Sequence, residues 1–122
     1  DWRAVMRSIR IDEILAGKQT HSAEDLAAYQ GDVHAVQRDL FVPLIADLDG
    51  LSARAASFRD ALTAWDGSTA IDSREPALFS VWESLLRQMT WDESVFARRS
   101  PSRSRLHQLL SETPDSPWLD IQ

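Results

Sequence analysis

The sequence predicts an all-α protein of about five helices in an irregular antiparallel array. Apolar residues recur at intervals of three and four along most of the 122 residues, which is the spacing of one face of a helix. No segment shows the alternation of apolar and polar residues that marks a half-buried strand. Glycine and proline are scarce, at 4 and 5 residues, which also suits helices. We expect residues 1–122 to form a single helical domain, because this length has room for one core.

The first two helices are predicted over residues 2–17 and 22–48. The first ends at Gly17, and its apolar face comprises Val5, Met6, Ile9, Ile14 and Leu15. Ser22 is placed to cap the second helix. We expect one buried stripe along it, formed by Leu26, Tyr29, Val33, Val36, Leu40, Leu44 and Leu48. Pro43 should kink or break this helix, because proline removes a donor and clashes with the preceding turn.

The third and fourth helices follow Gly50. Ser52 should cap the third, which ends at Asp66-Gly67 and whose face comprises Ala55, Phe58, Leu62 and Trp65. Residues 68–73 are expected to form a loop. Glu75-Pro76 begins the fourth helix, since proline is tolerated in a first turn. Its predicted stripe comprises Leu78, Trp82, Leu85 and Met89, broadened by Phe79 and Leu86.

The last part of the chain is predicted to hold one more full helix. A short helical piece is expected over residues 93–97. Ser100-Pro101 should start the last helix, whose apolar residues are Leu106, Leu109 and Leu110. Residues 113–118 are expected to be extended or turn-like, because two prolines three residues apart cannot continue a helix.

Composition narrows the possible partners. The net charge of −6 and pI near 4.9 argue against nucleic acid as the main partner. No apolar run approaches the roughly 20 residues of a membrane span, so no membrane is expected. The absence of cysteine excludes disulfides, thiolate zinc sites and a cysteine nucleophile. One basic cluster, formed by Arg98, Arg99, Arg103 and Arg105, is open to two interpretations. It either holds a phosphate or acidic surface, or its arginines pair with acids of this chain, and we favour the second.

Metal sites are weakly indicated. His21 and Asp25 stand four residues apart on one helix face, but no third ligand is in register. Asp47-Leu48-Asp49-Gly50 and the segment 66–72 resemble calcium loops, yet both lack the twelve-residue ligand pattern with its terminal glutamate. His34 is expected at the boundary of the core, and His107 lies on an amphipathic helix. We therefore predict no metal and no cofactor site in this segment.

Catalytic residues are not predicted either. No serine lies in a Gly-x-Ser-x-Gly or Ser-x-x-Lys motif, and no nucleophile, base and oxyanion hole can be assembled. Trp65 and Trp82 are predicted to pack in the core, with any buried indole N–H needing a partner. Trp2 and Trp118 lie near the ends of the sequence, where we expect them to pack against further residues of a longer protein.

Several phrases, in a fixed order, carry a resemblance over nearly the whole sequence. They are Arg10-Ile11-Asp12-Glu13-Ile14-Leu15, Ser22-x-x-Asp25, Gln30-x-Asp32-Val33, Leu40-Phe41-Val42-Pro43-Leu44, Ala61-Leu62-x-x-Trp65-Asp66-Gly67, Asp72-Ser73, Pro76-Ala77-Leu78-Phe79-x-x-Trp82 and Ser116-Pro117-Trp118-Leu119-Asp120. Together they resemble the helical part of the β chain of the penicillin acylase family, which includes cephalosporin acylases and acyl-homoserine-lactone acylases.

The resemblance implies an N-terminal-nucleophile hydrolase that cleaves linear amide bonds of small acyl amide substrates. Such an enzyme is exported to the periplasm or outside, cuts its own precursor, and uses a terminal serine with its own α-amino group as the base. An asparagine and backbone N–H groups stabilise the oxyanion. The sequence starts with Asp1 and contains no asparagine, so no catalytic residue is carried over. Calcium is implied only for the parent enzyme.

Three functions therefore remain open from the sequence, the third being binding of phosphate or nucleic acid through the Arg98–Arg105 segment. In the first, residues 1–122 are an internal fragment of a longer precursor, inactive alone, that forms a helical scaffold around an αββα catalytic core. Its partner is the remainder of the precursor, and the Trp65-Asp66-Gly67 turn is structural, with Asp66 bonding nearby backbone and Gly67 supplying a positive φ. In the second, the chain is a free-standing helical interaction module that offers a groove to a partner helix.

Overall fold

The computed structural model describes residues 5–91, 102–116 and 119. Within these residues it contains six α-helices and no strand, which confirms the all-α prediction. The helices are α1 (Val5–Ala16), α2 (Ala23–Gln30), α3 (Val36–Phe41), α4 (Ala53–Ala64), α5 (Glu75–Trp91) and α6 (Arg103–Glu112). A short 3-10 helix, Val42–Leu44, follows α3 directly.

The prediction of one long second helix with a single buried stripe is wrong. The helix stops at Gln30, and the chain resumes as α3 at Val36. Three members of the expected stripe, Leu26, Val33 and Leu48, are about half exposed. The physical reason is that residues 33–35 pair their backbone with residues 67–69, which withdraws those groups from a helical ladder.

The predicted effect of Pro43 is confirmed. The α-helix ends at Phe41, and Pro43 lies in the first turn of the 3-10 helix, where its missing N–H leaves no helical bond unmade. The helix count rises from about five to six among the described residues because the segment 23–44 is divided.

Serine caps begin three of the helices. Ser22 and Ser52 accept hydrogen bonds from the backbone N–H three residues later, as the sequence predicts. Ser102 does the same for α6, so this helix begins at Arg103 and not at the predicted Ser100-Pro101. Ser100, Pro101, the predicted piece over 93–97, Trp2 and Trp118 lie outside the described residues.

The core lies where α3, the 3-10 helix, α4, α5 and α6 meet. Its buried residues are Phe41, Val42, Leu62, Trp65, Phe79 and Leu106. Phe41 and Leu106 have no exposed surface, and aromatic rings surround Phe41 edge to face. The predicted core positions of α4 and α6 are therefore confirmed.

The predicted stripe of α5 is partly wrong. Leu85 and Met89 are 51% and 49% exposed, whereas Phe79, Glu83 and Thr90 are buried. The helix is thus rotated relative to the purely apolar expectation. The buried side of the helix holds Phe79 and the Glu83 carboxylate, which is bound by Arg103.

Candidate functional site

The turn at residues 65–68 closes α4 and satisfies its own polar groups. Trp65 is only 5% exposed, and its indole N–H donates to the carbonyl oxygen of Ser68 at 2.9 Å. The Ser68 N–H in turn donates to Oδ1 of Asp66 at 2.8 Å. Gly67 has φ +87°, a region that L side chains rarely adopt. The predicted roles of Trp65, Asp66 and Gly67 are confirmed.

The same turn is tied to the chain between α2 and α3, in what we call the 34–68 bridge. The N–H of Ala35 donates to the carbonyl of Gly67 at 2.8 Å, and the N–H of Thr69 donates to the carbonyl of Val33 at 2.9 Å. The Thr69 hydroxyl donates to that same carbonyl at 2.7 Å. The bridge therefore joins two segments more than 30 residues apart with backbone hydrogen bonds.

The imidazole of His34 covers Gly67. A Cβ atom built on Gly67 would lie 2.5 Å from His34 Cε1, which is closer than real Cβ contacts allow. The Nε2 atom of His34 is hydrogen-bonded to a carboxylate oxygen of Asp39. His34 is half-buried, as predicted, and its ring packs against the turn at Gly67.

An ion pair between α1 and the end of α2 was not predicted. The Nε and Nη2 atoms of Arg10 donate to the two carboxylate oxygens of Asp32, each at 2.8 Å. This two-bond geometry is the strong form of an arginine–carboxylate contact. The hydrogen bond from Arg10 lowers the pKa of Asp32 below its ordinary value. The Gln30-x-Asp32 phrase was noted in the sequence, but its partner was not identifiable without the fold.

A buried carboxylate connects α5 to α6 and was also missed. Glu83 is 2% exposed, and Arg103 Nε donates to both of its oxygens, at 2.9 and 2.8 Å. Arg87 lies 3.9 Å from Glu83, one turn along α5. A signal was present in the sequence, because Phe79, Glu83, Leu86 and Thr90 follow helical spacing.

The remaining candidate residues each contact a different partner. His21 Nδ1 is hydrogen-bonded to the Tyr29 hydroxyl at 2.9 Å, while Asp25 accepts from the backbone N–H of Ser22 and pairs with Lys18. His107 contacts the Phe41 ring edge to face, with centroids 5.6 Å apart. Among the residues that the structure describes, no three histidine or carboxylate side chains come together to hold a metal.

The basic cluster is partly engaged inside the chain. Arg103 binds Glu83, and Arg105 Nη1 donates to Gln108 at 2.7 Å. Arg98 and Arg99 lie outside the described residues. Arg103 therefore pairs with an acid of this chain, as favoured from the sequence, whereas Arg105 contacts a neutral amide.

A groove of about 700 Å³ lies between α1, α2 and the start of α3. Its apolar walls include Met6, Ile11, Ile14, Leu26 and Tyr29, and the Arg10–Asp32 pair borders it. This volume falls within the range of small-molecule sites. None of the helices in the described part of the chain is long and apolar enough to cross a membrane.

Comparison with known proteins identifies the family. The model of the family described as penicillin amidase matches residues 1–122, the whole sequence. The chain belongs to the penicillin amidase family. No curated protein and no solved structure matches it.

Several of the sequence phrases that resemble the penicillin amidase family supply the hydrogen bonds and ring contacts that hold this fold together. The Leu-x-x-Trp-Asp-Gly phrase forms the turn at 65–68, and the Gln-x-Asp-Val phrase supplies Asp32 and the carbonyl of Val33. The Leu-Phe-x-x-Trp phrase supplies two rings that pack on Phe41. Penicillin amidases are amide hydrolases, so the family places this chain within a group of hydrolytic enzymes.

Proposed function

We propose that this chain is a non-catalytic helical segment of a penicillin-acylase-like amidohydrolase, which we call the parent enzyme. The segment would form part of the frame around the catalytic core, and the reaction would be carried out by residues outside this chain. The rest of the parent enzyme is its partner, and a small acyl amide is the substrate of the parent enzyme.

One observation carries this proposal most directly. The turn at 65–68 holds the family phrase Leu-x-x-Trp-Asp-Gly, and its polar groups bond within this chain. The indole of Trp65, the carboxylate of Asp66 and the carbonyl of Gly67 all bond groups of this chain. A segment whose family-specific residues are consumed by internal hydrogen bonds is suited to a structural role.

The serine hydroxyls support the same proposal. Ser22, Ser52 and Ser102 cap helices, and Ser111 donates to the carbonyl of His107. These are the local backbone contacts that serine makes at helix ends and within helices. In addition, the sequence contains no asparagine, the side chain that the family resemblance implies for the oxyanion.

The chemistry proposed for the parent enzyme follows from the resemblance. A terminal serine hydroxyl attacks the amide carbonyl carbon, and its proton passes to the serine α-amino group. That proton is then given to the amide nitrogen, so the C–N bond breaks and the amine leaves. Water hydrolyses the resulting acyl-serine ester, which releases the carboxylic acid and restores the serine. Export to the periplasm or the exterior and self-cleavage of a precursor belong to the same proposal. Calcium in the parent enzyme, which the family resemblance implies, belongs to this proposal as well.

The test compares the chain alone with the parent enzyme on chromogenic anilides carrying short, long and aromatic acyl groups. We expect the parent enzyme to hydrolyse at least one of them, and the chain alone to release no more amine than buffer does. Replacing the terminal serine of the parent enzyme by alanine should abolish both hydrolysis and self-cleavage. Steady hydrolysis by the purified chain would refute the proposed function.

The groove between α1, α2 and the start of α3 favours a second candidate function, that of a free-standing interaction module. Ile11, Leu15 and Leu26 are 47%, 40% and 51% exposed beside it, as required for anchoring an amphipathic helix. This candidate predicts that the chain alone is a monodisperse, cooperatively unfolding monomer that binds such helices. Loss of binding in Leu26→Glu, with an unchanged melting temperature, would support it.

A further inference from the structure

The outer face of α5 is exposed and carries no charged side chain. We define the α5 outer face by its exposed positions, which are Ala77, Ser80, Val81, Ser84, Leu85, Gln88 and Met89. They cover about half of the circumference of the helix. Val81, Leu85 and Met89 form an apolar line at intervals of four, and they are 61%, 51% and 49% exposed.

The other described helices differ from α5 in this respect. Each exposes at least one charged side chain, although charged residues make up only 26% of the sequence. The charged residues at these exposed positions are Arg7, Asp12 and Glu13 on α1, Glu24 on α2, Asp39 on α3, Arg54 and Asp60 on α4, and Arg103, Arg105 and Glu112 on α6. An uncharged exposed face with a row of large apolar residues is the pattern of a surface that is covered by protein.

The orientation of α5 is fixed from inside the chain. Glu83 is buried against Arg103, and Phe79 and Thr90 point to the same side. Rotation of the helix to bury Leu85 would expose the Glu83–Arg103 pair and Phe79. The apolar line on the opposite side therefore stays available for a contact beyond these residues.

Charge and size narrow the choice of occupant. The exposed positions of the α5 outer face include no lysine or arginine. Arg87 at its edge is 27% exposed and lies 3.9 Å from the buried Glu83. This face is therefore a poor match for nucleic acid or an anionic membrane surface. A stable interface between two separate protein molecules commonly contains about 20–30 residues from each partner. The α5 outer face has seven exposed positions, which is fewer than such an interface needs. A contact within one polypeptide needs less surface, because the linkage removes most of the entropic cost of association.

We propose that the α5 outer face docks against an uncharged, apolar surface of the remaining part of the parent enzyme. This inference rests on the proposed function, and it adds the surface through which the helical segment is attached. Small side chains at Ala77, Ser80 and Ser84 allow a helix or strand to approach closely, and Val81, Leu85 and Met89 supply the apolar contact.

Thiol labelling of the parent enzyme tests the proposal. This segment has no cysteine, so Ser84→Cys introduces one thiol on the α5 outer face. Ser57→Cys, at an exposed serine within α4, is the matched control. Maleimide incorporation is followed by peptide mass spectrometry in the native enzyme and in urea. We expect the residue-84 thiol to react about tenfold or more slowly in the native enzyme than in urea, with Ser80→Cys giving the same result.

Fast native labelling at residues 84 and 80, comparable with labelling in urea, would overturn the proposal. Protection that disappears on dilution would also overturn it, because a second copy would then be the occupant. Hydrolytic activity equal to that of the unsubstituted enzyme shows that each variant is folded. The two proposals fail separately: fast labelling leaves the location of catalysis untouched, whereas hydrolysis by the chain alone refutes the proposed function whatever the labelling shows.

Discussion

Gly67 meets two separate requirements at one residue. Its φ of +87° favours glycine, and the His34 ring occupies the space that a Cβ atom would need. Gly50 meets only the first requirement, since its φ is +70° and no atom lies within 4 Å of a built Cβ. The two glycines therefore separate the cost of backbone strain from the cost of a steric clash.

We predict that Gly67→Val lowers the free energy of unfolding by about 1–3 kcal/mol, because it adds backbone strain and a clash with His34. Gly50→Ala should cost less than Gly67→Ala, because only strain is introduced there. Urea unfolding followed by tryptophan fluorescence measures both. An unchanged melting temperature for Gly67→Val would contradict the prediction. Combining Gly67→Ala with His34→Ala should relieve the clash and leave a cost similar to that of Gly50→Ala.

Some residue roles were predictable from the sequence because they depend on near neighbours. Ser22, Ser52 and Asp66 bond backbone groups within three residues, and the positive φ of Gly67 belongs to its own turn, so local rules identified them. Glu83 depends on an arginine 20 positions away, and its burial requires knowledge of how two helices meet. The Arg10–Asp32 pair is equally remote, since it spans 22 positions.

At the scale of elements, the start of α2 depends on the charge of one carboxylate. Asp25 accepts a hydrogen bond from the Ser22 N–H, and the Ser22 hydroxyl accepts one from the Asp25 N–H. The hydrogen bond from Lys18, with that from the Ser22 backbone, lowers the pKa of Asp25 to about 2. A lowered pKa means that the folded state favours the ionised form of this carboxylate.

We therefore predict that the contribution of Asp25 to stability is complete above about pH 4 and disappears as the pH falls through about 2. Asp25→Asn should flatten the pH dependence of the free energy of unfolding in that interval. Lys18→Met removes the main cause of the lowered pKa, so the loss should begin at a higher pH. Urea unfolding at a series of pH values provides the measurement. Identical pH profiles for the three proteins would contradict the assignment.

The pairing of α5 with α6 depends on Glu83 and Arg103. Arg103→Ala should lower the free energy of unfolding by roughly 2–3 kcal/mol, because a buried carboxylate loses its charged hydrogen-bond partner. Glu83→Gln should cost less, since it removes the buried charge and keeps a hydrogen-bond acceptor beside Arg103. Thermal or urea unfolding of the two variants gives the order. A larger loss for Glu83→Gln than for Arg103→Ala would show that the carboxylate is not the costly member of the pair.

Element boundaries were predictable where a cap or a breaker marks them, and less so elsewhere. Gly17, Pro43 and Asp66-Gly67 end helical segments as expected. The division of the 22–48 segment was missed because its cause, the 34–68 bridge, is a contact with a distant part of the chain. Apolar spacing also misjudged the rotation of α5, since it gives no weight to a buried glutamate.

At the scale of the whole molecule, Phe41 brings α3 into contact with α5 and α6. It lies at the end of α3, has no exposed surface, and contacts Phe79 and Trp82 on α5 and His107 on α6. Its ring and the side chains around it join segments from both halves of the sequence. The candidate site as a whole could not be predicted. Its contacts, which are the 34–68 bridge and the Arg10–Asp32 and Glu83–Arg103 ion pairs, join residues that are distant in the sequence.

We predict that Phe41→Ala lowers the free energy of unfolding by about 3–5 kcal/mol, because it leaves a cavity among rings that cannot close over it. Phe41→Leu retains most of the volume and should cost considerably less. Denaturant unfolding followed by tryptophan fluorescence and by far-ultraviolet circular dichroism would show whether α3, α5 and α6 unfold together. Similar midpoints for Phe41→Ala and Phe41→Leu would contradict the prediction.

The 34–68 bridge also makes this chain suitable for engineering. It holds the two ends of the segment 34–68 together. This segment contains α3 and α4, and Gly50 lies on an exposed turn near its middle. The entropic cost of closing a loop rises only by about 0.6 kcal/mol for each doubling of its length. An epitope or reporter peptide inserted at Gly50 would lengthen the segment 34–68 while the bridge keeps its two ends paired. Such a label should therefore lower the free energy of unfolding only slightly.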